Sequence, residues 1–248
     1  MSDMLKHALL LIASLALPGI ALSATVDELL AKHVEARGGA GKMKAIETLQ
    51  LTGTLKVTGD FTAEFSLLRR IKRPGEVRTD ATLQGLTSVR AWDGREGWAI
   101  SPLFGRKDPK RISRDESKDM IDLADLDGPL VDAAAKGERI DYLGTEDIEG
   151  TPAHKLRVTT KDGDVQYVFL DPDYYLIIRI LYQRSVRGAQ VETETDFGDY
   201  EKVNGVYFPF SIDFGPKGSA RTRQITIDNA EANVPLSDTL FRFPAPAP

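Results

Sequence analysis

Over most of this chain apolar residues recur at every second position, a period that a strand satisfies and a helix does not. Leu49, Leu51, Leu55 and Val57 alternate with Gln50, Thr52, Thr54 and Lys56. After a turn at Gly59-Asp60, Phe61, Ala63, Phe65 and Leu67 alternate with Thr62, Glu64 and Ser66. Each run describes a strand with one apolar and one polar face. The pattern continues over 77–83, 87–92 and 97–101, the last two joined across Asp93-Gly94. It resumes over 139–148, 153–160, 165–171, 176–184, 190–200, 206–214 and 221–230. Asp162-Gly163 and Asn204-Gly205 carry the residues of type I′ hairpin turns. About eleven or twelve antiparallel strands are predicted. So many strands in one sheet curl into a barrel or a strongly bent sheet rather than staying flat.

Two segments break the period. Thr25 and Glu28 form a Thr-x-x-Glu capping box. Behind it Val26, Leu29, Leu30, His33 and Val34 share one helical face, until Gly38-Gly39 ends the helix. A short second turn is expected through Met43 to Ile46. Midway, residues 105–118 are rich in charge and turn formers. Met120, Ile121, Leu123, Ala124 and Leu126 then predict an amphipathic helix, and residues 129–135 a second one closed by Gly137. The prediction is thus a mainly β (α+β) chain: an incomplete antiparallel barrel of about eleven strands, an N-terminal helix and a helical lid insertion. The closing Pro/Ala tail is read as frayed.

One face of the sheet is unusually apolar. Val206, Phe208, Phe210, Ile212 and Phe214 form an uninterrupted stripe, matched by Leu176, Ile178, Ile180 and Tyr182. Helices must cover such a face. The stripe is either plain core or the lining of a ligand cavity, and sequence cannot show a gap.

The first residues describe an export leader. Lys6 and His7 precede an apolar run over 8–17 that is too short to span a bilayer, and Ala21-Leu22-Ser23 offers small residues for cleavage. Residues 1–23 are expected to be removed near Ser23, leaving 24–248 as one domain in the periplasm; an uncleaved anchor is the alternative. The leader holds one acid (Asp3) and one base (Lys6), so the mature chain keeps the net charge of -5. That balance disfavours a nucleic-acid partner. The chain has no cysteine, which excludes disulfides, thiol catalysis, thiolate metal sites and a lipid-bearing cysteine. A soluble monomer with no cofactor is expected.

Several motifs resemble a known family. Lys72-Arg73-Pro74-Gly75-Glu76-Val77-Arg78 is followed by Val89-Arg90-Ala91-Trp92-Asp93-Gly94, then by Gly97-Trp98-Ala99-Ile100-Ser101-Pro102. Order and spacing are similar to those of the LolA-type lipoprotein carriers. Phe169-Leu170-Asp171-Pro172 and Val203-Asn204-Gly205-Val206 with Phe208-Pro209-Phe210 resemble the broader LolA/RseB-type, lipoprotein-sorting-like group. This chain is longer than LolA and its second half is richer in strands. The resemblance implies an incomplete barrel with a helical lid over an apolar cavity that takes acyl chains. It implies that Arg73 is the cavity arginine, bonding lid carbonyls when empty and a lipid ester or phosphate when loaded. The bland alternative is a surface arginine beside a turn proline. Carried onto this sequence, the cavity is expected to be lined by Phe65, Leu67, Val77, Trp98, Ile178, Ile180, Phe208, Phe210 and Ile212.

Catalytic and metal readings are weak. His33 and His154 lack partners at catalytic spacing, and neither His-Glu-x-x-His nor Gly-x-Ser-x-Gly occurs. Asp122, Asp125 and Asp127 do not follow an EF-hand loop and suit the wet face of a helix. Glu192 and Glu194 share a strand face, as a glycosidase pair can, but they alternate with Val191, Thr193 and Thr195 like any half-exposed strand. The leading expectation is a non-enzymatic periplasmic carrier of lipid or lipoprotein acyl chains, served by an inner- or outer-membrane export partner. The alternative is an envelope-stress sensor of the same fold that binds a membrane signalling partner; a hydrolase using carboxylates in the cleft ranks last.

Overall fold

The computed structural model describes residues 25–245. The expected leader and its cleavage position lie outside the described residues. Within them, helix α1 (Val26–Arg37) and a short α2 (Ala40–Lys44) precede thirteen strands. These are β1 (Thr48–Val57), β2 (Ala63–Lys72), β3 (Glu76–Leu83), β4 (Leu86–Trp92), β5 (Gly97–Ser101) and β6 (Arg106–Ile112). After helix α3 (Lys118–Ala124) come β7 (Arg139–Ile148), β8 (Thr151–Thr159), β9 (Val165–Leu170), β10 (Ile177–Val186), β11 (Ala189–Val203), β12 (Val206–Pro216) and β13 (Arg223–Ala232).

All thirteen strands join one antiparallel sheet in the order β6-β5-β4-β3-β2-β1-β13-β12-β11-β10-β9-β8-β7. Chain neighbours pair throughout except β6 and β7, and β1 also receives β13, which links the two halves. The ladder never closes, because β6 and β7 are its free edges. The sheet is nevertheless curled. Strands β4 and β10 stand seven places apart in that order, about 34 Å if flat at ~4.8 Å per strand. Both bond to α3, a helix only about 10 Å long by its rise of ~1.5 Å per residue. Arg90 of β4 bonds Asp119, and Arg184 of β10 bonds Asp122.

The expectation of a curled, incomplete antiparallel barrel with an N-terminal helix and a lid holds, with two corrections. The thirteenth strand is β6, inside the stretch read as turn-rich. Its exposed residues carry charge on both faces, so no apolar alternation marks it. Edge strands use charge and proline in this way to avoid pairing with other chains. Second, the helix expected over 129–135 does not form. Gly128 at φ 80° and Asp132 at φ 53° interrupt any α-helical run, leaving successive turns. Leu130, Val131 and Ala133 are buried from those turns instead of from a helix.

Turn chemistry is also more varied than expected. Asn204-Gly205 has positive φ at both positions, as a type I′ turn requires. Asp162 does not adopt positive φ; Thr160 N–H bonds Asp164 O across a three-residue loop in which Gly163 alone is left-handed. Gln84-Gly85, Glu149-Gly150 and Arg187-Gly188 supply further pairs with φ positive at both residues. The Thr25–Glu28 capping box is present, with both reciprocal bonds made. At the other end of α1, a Cβ on Gly38 would stand 2.2 Å from Gly205 O, so only glycine lets the helix end rest on the β11–β12 turn.

Candidate functional site

The concave face of the sheet and the segment between β6 and β7 form one unit. From the sheet come Leu49, Leu51, Leu67, Ile71, Val77, Trp92, Val206, Phe208, Phe210, Ile225 and Ile227, all buried. From the lid come Met120, Ala124, Leu126 and Val131, packed into the same cluster. The second half of the concave face holds Leu156, Val158, Val168, Leu170, Ile177 and Ile180, closed over by Leu29 of α1 and Leu130 of the lid. The interior is thus filled by the lid. Two shallow clefts of about 270 and 360 Å3 are polar and lie outside it, one on the outer sheet face at Lys56 and Asp213, one at Arg114 and Asp162.

The lid is apolar underneath but fastened by polar side chains. Arg73, just past the end of β2, holds Asp127 in a two-pronged pair, with Nη1 and Nη2 each 2.7 Å from a carboxylate oxygen. Its remaining donors reach Ile46 O at 2.8 Å and Met43 O at 3.0 Å. A planar guanidinium suits this fork, and a lysine could not reproduce it. Burial pushes the Asp127 carboxyl up, but the Arg73 bonds and charge outweigh it and hold the group below the ordinary aspartate value. Arg37, buried at the end of α1, donates from Nη1 to Asp127 O at 2.6 Å and from Nη2 to Leu126 O at 3.3 Å. It also lies over the Phe208 ring, 5.4 Å from its centroid.

Other fasteners run along the lid. Lys136 Nζ donates to Asp125 Oδ2 at 2.5 Å and Gly128 O at 2.7 Å. Lys118 Nζ reaches Ser185 O at 2.7 Å and Asp164 at 2.8 Å, tying the start of α3 to β9 and β10. Arg184 bonds Asp122. Burial pushes the Asp122 carboxyl up to about 7, against the pull of Arg184 and with help from Asp119, Asp125 and Glu138. On the near side Ser117 is fully buried, and a Cβ on Gly97 would stand 2.2 Å from its Oγ.

The residues named from the sequence divide between the two faces. Leu67, Val77, Phe208 and Phe210 lie under the lid, Ile212 packs against them, and Ile180 lies in the second concave cluster. Phe65 stands opposite Leu55, two residues from Leu67 on the same face, and is half-buried. Trp98 does not join them. Register pairs it with Ala91, and it packs with Val89 and Ala91 on the outer face. There the C-terminal segment covers it: Trp98 Nε1 donates to Phe241 O at 2.7 Å, and the Phe243 ring meets it edge-on. Ile178 is likewise on the outer face with Phe169 and Leu181, because a bulge between Ile177 and Arg179 breaks the expected stripe. Arg73 is not a free surface arginine; it meets the lid through the Asp127 carboxylate, and the carbonyls it reaches, those of Met43 and Ile46, precede β1 instead of belonging to the lid.

The two histidines, distant in sequence, meet around Tyr175. His33 Nδ1 lies 2.8 Å from Tyr175 O. His154 stacks on the Tyr175 ring at 5.9 Å and bonds Tyr142 Oη at 3.0 Å. Lys32 Nζ donates to Tyr175 Oη at 3.0 Å. Burial pushes His33 down to about 4, so it is neutral at pH 7. This cluster docks α1 onto the sheet end. Glu192 is ion-paired to Lys217 and Glu194 to Arg221. Among the described residues no group of three or more His, Asp or Glu side chains could hold a metal ion.

Arg37 was not singled out in the sequence, and Asp127 was read only as part of the wet face of a helix; it lies past the end of α3 and is buried. Arg37 had a readable signal, since it follows Leu29 and His33 at spacings of four on the buried face of α1. Asp127 had none, because its role depends on a partner 54 positions away.

No protein-family model and no curated protein matches the chain. Solved structures do. A domain from Vibrio parahaemolyticus, described as an outer membrane lipoprotein-sorting protein domain, superposes with a TM-score of 0.62 at 13% identity, over 88% of this chain and 97% of its own. A LolA superfamily protein from Nitrosomonas europaea gives 0.62 at 14% identity, over 89% and 98%. A DUF1329 family protein from Desulfovibrio piger gives 0.61 at 16%, over 88% and 97%. Through nearly its whole described length, the chain has the fold shared by the LolA superfamily and outer membrane lipoprotein-sorting domains.

Proposed function

We propose that the protein is a non-enzymatic carrier of the bacterial envelope, exported to the periplasm, which takes acyl chains of a lipid or lipoprotein between its curved sheet and its lid. One observation carries this reading. The lid buries Met120, Ala124, Leu126 and Val131 into an apolar concave face, yet its attachment to the sheet and helices is a set of ion pairs and carbonyl bonds. A plug of this kind can be exchanged. Polar fasteners regain water when they open, and an acyl chain replaces the apolar contacts at about 0.8 kcal/mol per buried methylene. Cargo would be received from, and handed to, a membrane export partner.

The experiment is native mass spectrometry of protein purified without detergent, together with titration of cis-parinaric acid. Co-purifying acyl lipid or saturable probe binding is expected. Absence of both would overturn the reading.

A further inference from the structure

The alternation on β2 has one exception. Phe65, Leu67 and Ile71 face the concave interior, and Arg69 shares that face between them. Arg69 is 6% exposed and forms no ion pair among the described residues. Its Nε donates to Thr79 Oγ1 at 3.2 Å. Thr79 is its cross-strand partner on β3, and Arg90 is the partner of Thr79 on β4. The three residues therefore form a row across the concave face, beside the buried apolar side chains Leu67, Ile71 and Val77. Burying a guanidinium without an anion is costly, and packing of this β structure does not require one. Burial pushes Arg69 down to about 10, with Asp119 countering part of the loss.

Asp119 belongs to the lid. Its carboxylate takes two bonds from Arg90, one from Nη1 and one from Nη2 at 3.0 Å. The lid thus presents an oxyanion to the Arg90 end of that row, while its apolar side chains fill the interior. An acyl lipid with an anionic head offers the same two features in one molecule.

We propose that Arg69, Thr79 and Arg90 form a headgroup subsite for the oxyanion of an acyl lipid, carboxylate or phosphate, and that Asp119 occupies this subsite while the lid is closed. This rests on the carrier reading and adds the class of cargo: anionic acyl lipids over neutral ones. When the lid lifts, Asp119 leaves with it, and the cargo oxyanion takes its place on Arg90 and Arg69.

The test is displacement of cis-parinaric acid from the full mature chain by two matched pairs, oleate against methyl oleate and lysophosphatidate against monoolein. In the wild type the anion is expected to displace at least tenfold better in one pair or both; the pair showing the preference names the headgroup. In Arg69→Met the preference falls to within twofold while methyl oleate is retained. In Asp119→Asn oleate binds several-fold tighter, because a competitor is gone. Should Arg69→Met fail to fold, Asp119→Asn and Arg90→Gln carry the test with opposite expected signs. Neutral lipids binding as well as anions in the wild type would overturn the subsite and leave the carrier intact. No binding by any of the four would overturn both.

Discussion

Arg73 makes four polar contacts from one guanidinium, two to the Asp127 carboxylate and two to the carbonyls of Ile46 and Met43. Replacing it by Met leaves Asp127 without a partner for its buried carboxylate, a loss of about 3 kcal/mol for a pair broken from one side. Arg73→Met is therefore expected to lower the thermal midpoint and to speed hydrogen exchange first in residues 118–136. Faster exchange spread evenly over the sheet would show that Arg73 supports the fold and not the lid in particular. His33 makes a second prediction. It is held neutral with a value near 4, while an unfolded histidine titrates near 6.5. The unfolded chain binds the extra proton between those values, so this group's stabilisation is complete above pH 6.5 and declines as pH falls toward 4. The decline amounts to about 3 kcal/mol. Urea titrations across that window should show the slope for wild type and a flatter profile for His33→Gln. Arg73 was legible because it sits in a motif. Arg69 was missed, because the alternation was followed only to Leu67, while β2 runs on to Lys72 and carries Arg69 at the next inward position.

At the scale of elements, the lid responds to pH with the opposite sign to His33. Asp122 titrates near 7 with the lid closed, since its carboxyl loses water beside Arg184. Lifted into water it returns toward the ordinary aspartate value. The closed state therefore binds a proton that the open state releases, so closure is favoured as pH falls below 7 and weakened as pH rises through it. Exchange of residues 118–126, corrected for intrinsic rate, should be faster at pH 8 than at pH 6, and the difference should vanish in Asp122→Asn. Gly97 tests the same element by packing. A methyl there meets buried Ser117, so Gly97→Ala is expected to cost about 1–3 kcal/mol and to displace the start of α3. Measured stability equal to wild type would mean that the lid start has slack. β7, with one wet face, was readable to the residue over Arg139–Ile148, whereas β2, expected over 61–67, runs over Ala63–Lys72. Edge strand β6 was not readable, because only its last residue, Ile112, packs on the core and one apolar position imposes no period. Nor was the irregular half of the lid, where Leu130 and Val131 are buried by tertiary contacts that no helical spacing announces.

For the whole molecule, the open sheet explains both its capacity and its risk. A closed barrel would fix the interior, whereas free edges at β6 and β7 leave room for a segment to cross between them. Those edges must be kept from pairing. Arg106, Lys107, Lys110 and Arg111 are exposed on β6, with Pro109 among them. Replacing Lys107, Pro109 and Lys110 together with Thr, Val and Thr should produce concentration-dependent association in light scattering beyond that of the parent chain. Association equal to the parent's at all concentrations would show that β6 is protected by something other than its charge. Curling was predictable from strand number alone, and the likeness to LolA-type folds from motif order. Which face each residue takes was not, as Trp98 and Ile178 demonstrate: one register pairing and one bulge move them outside. The central claim is that the lid is exchanged for acyl chains. The chain has no cysteine, so spin labels can be placed cleanly at Ala135→Cys on the lid and Glu64→Cys on the outer face of β2. Pulsed electron resonance should give one distance distribution without ligand and one shifted to longer distances once oleate is added at saturation. An unchanged distance distribution in the presence of bound oleate would contradict the account.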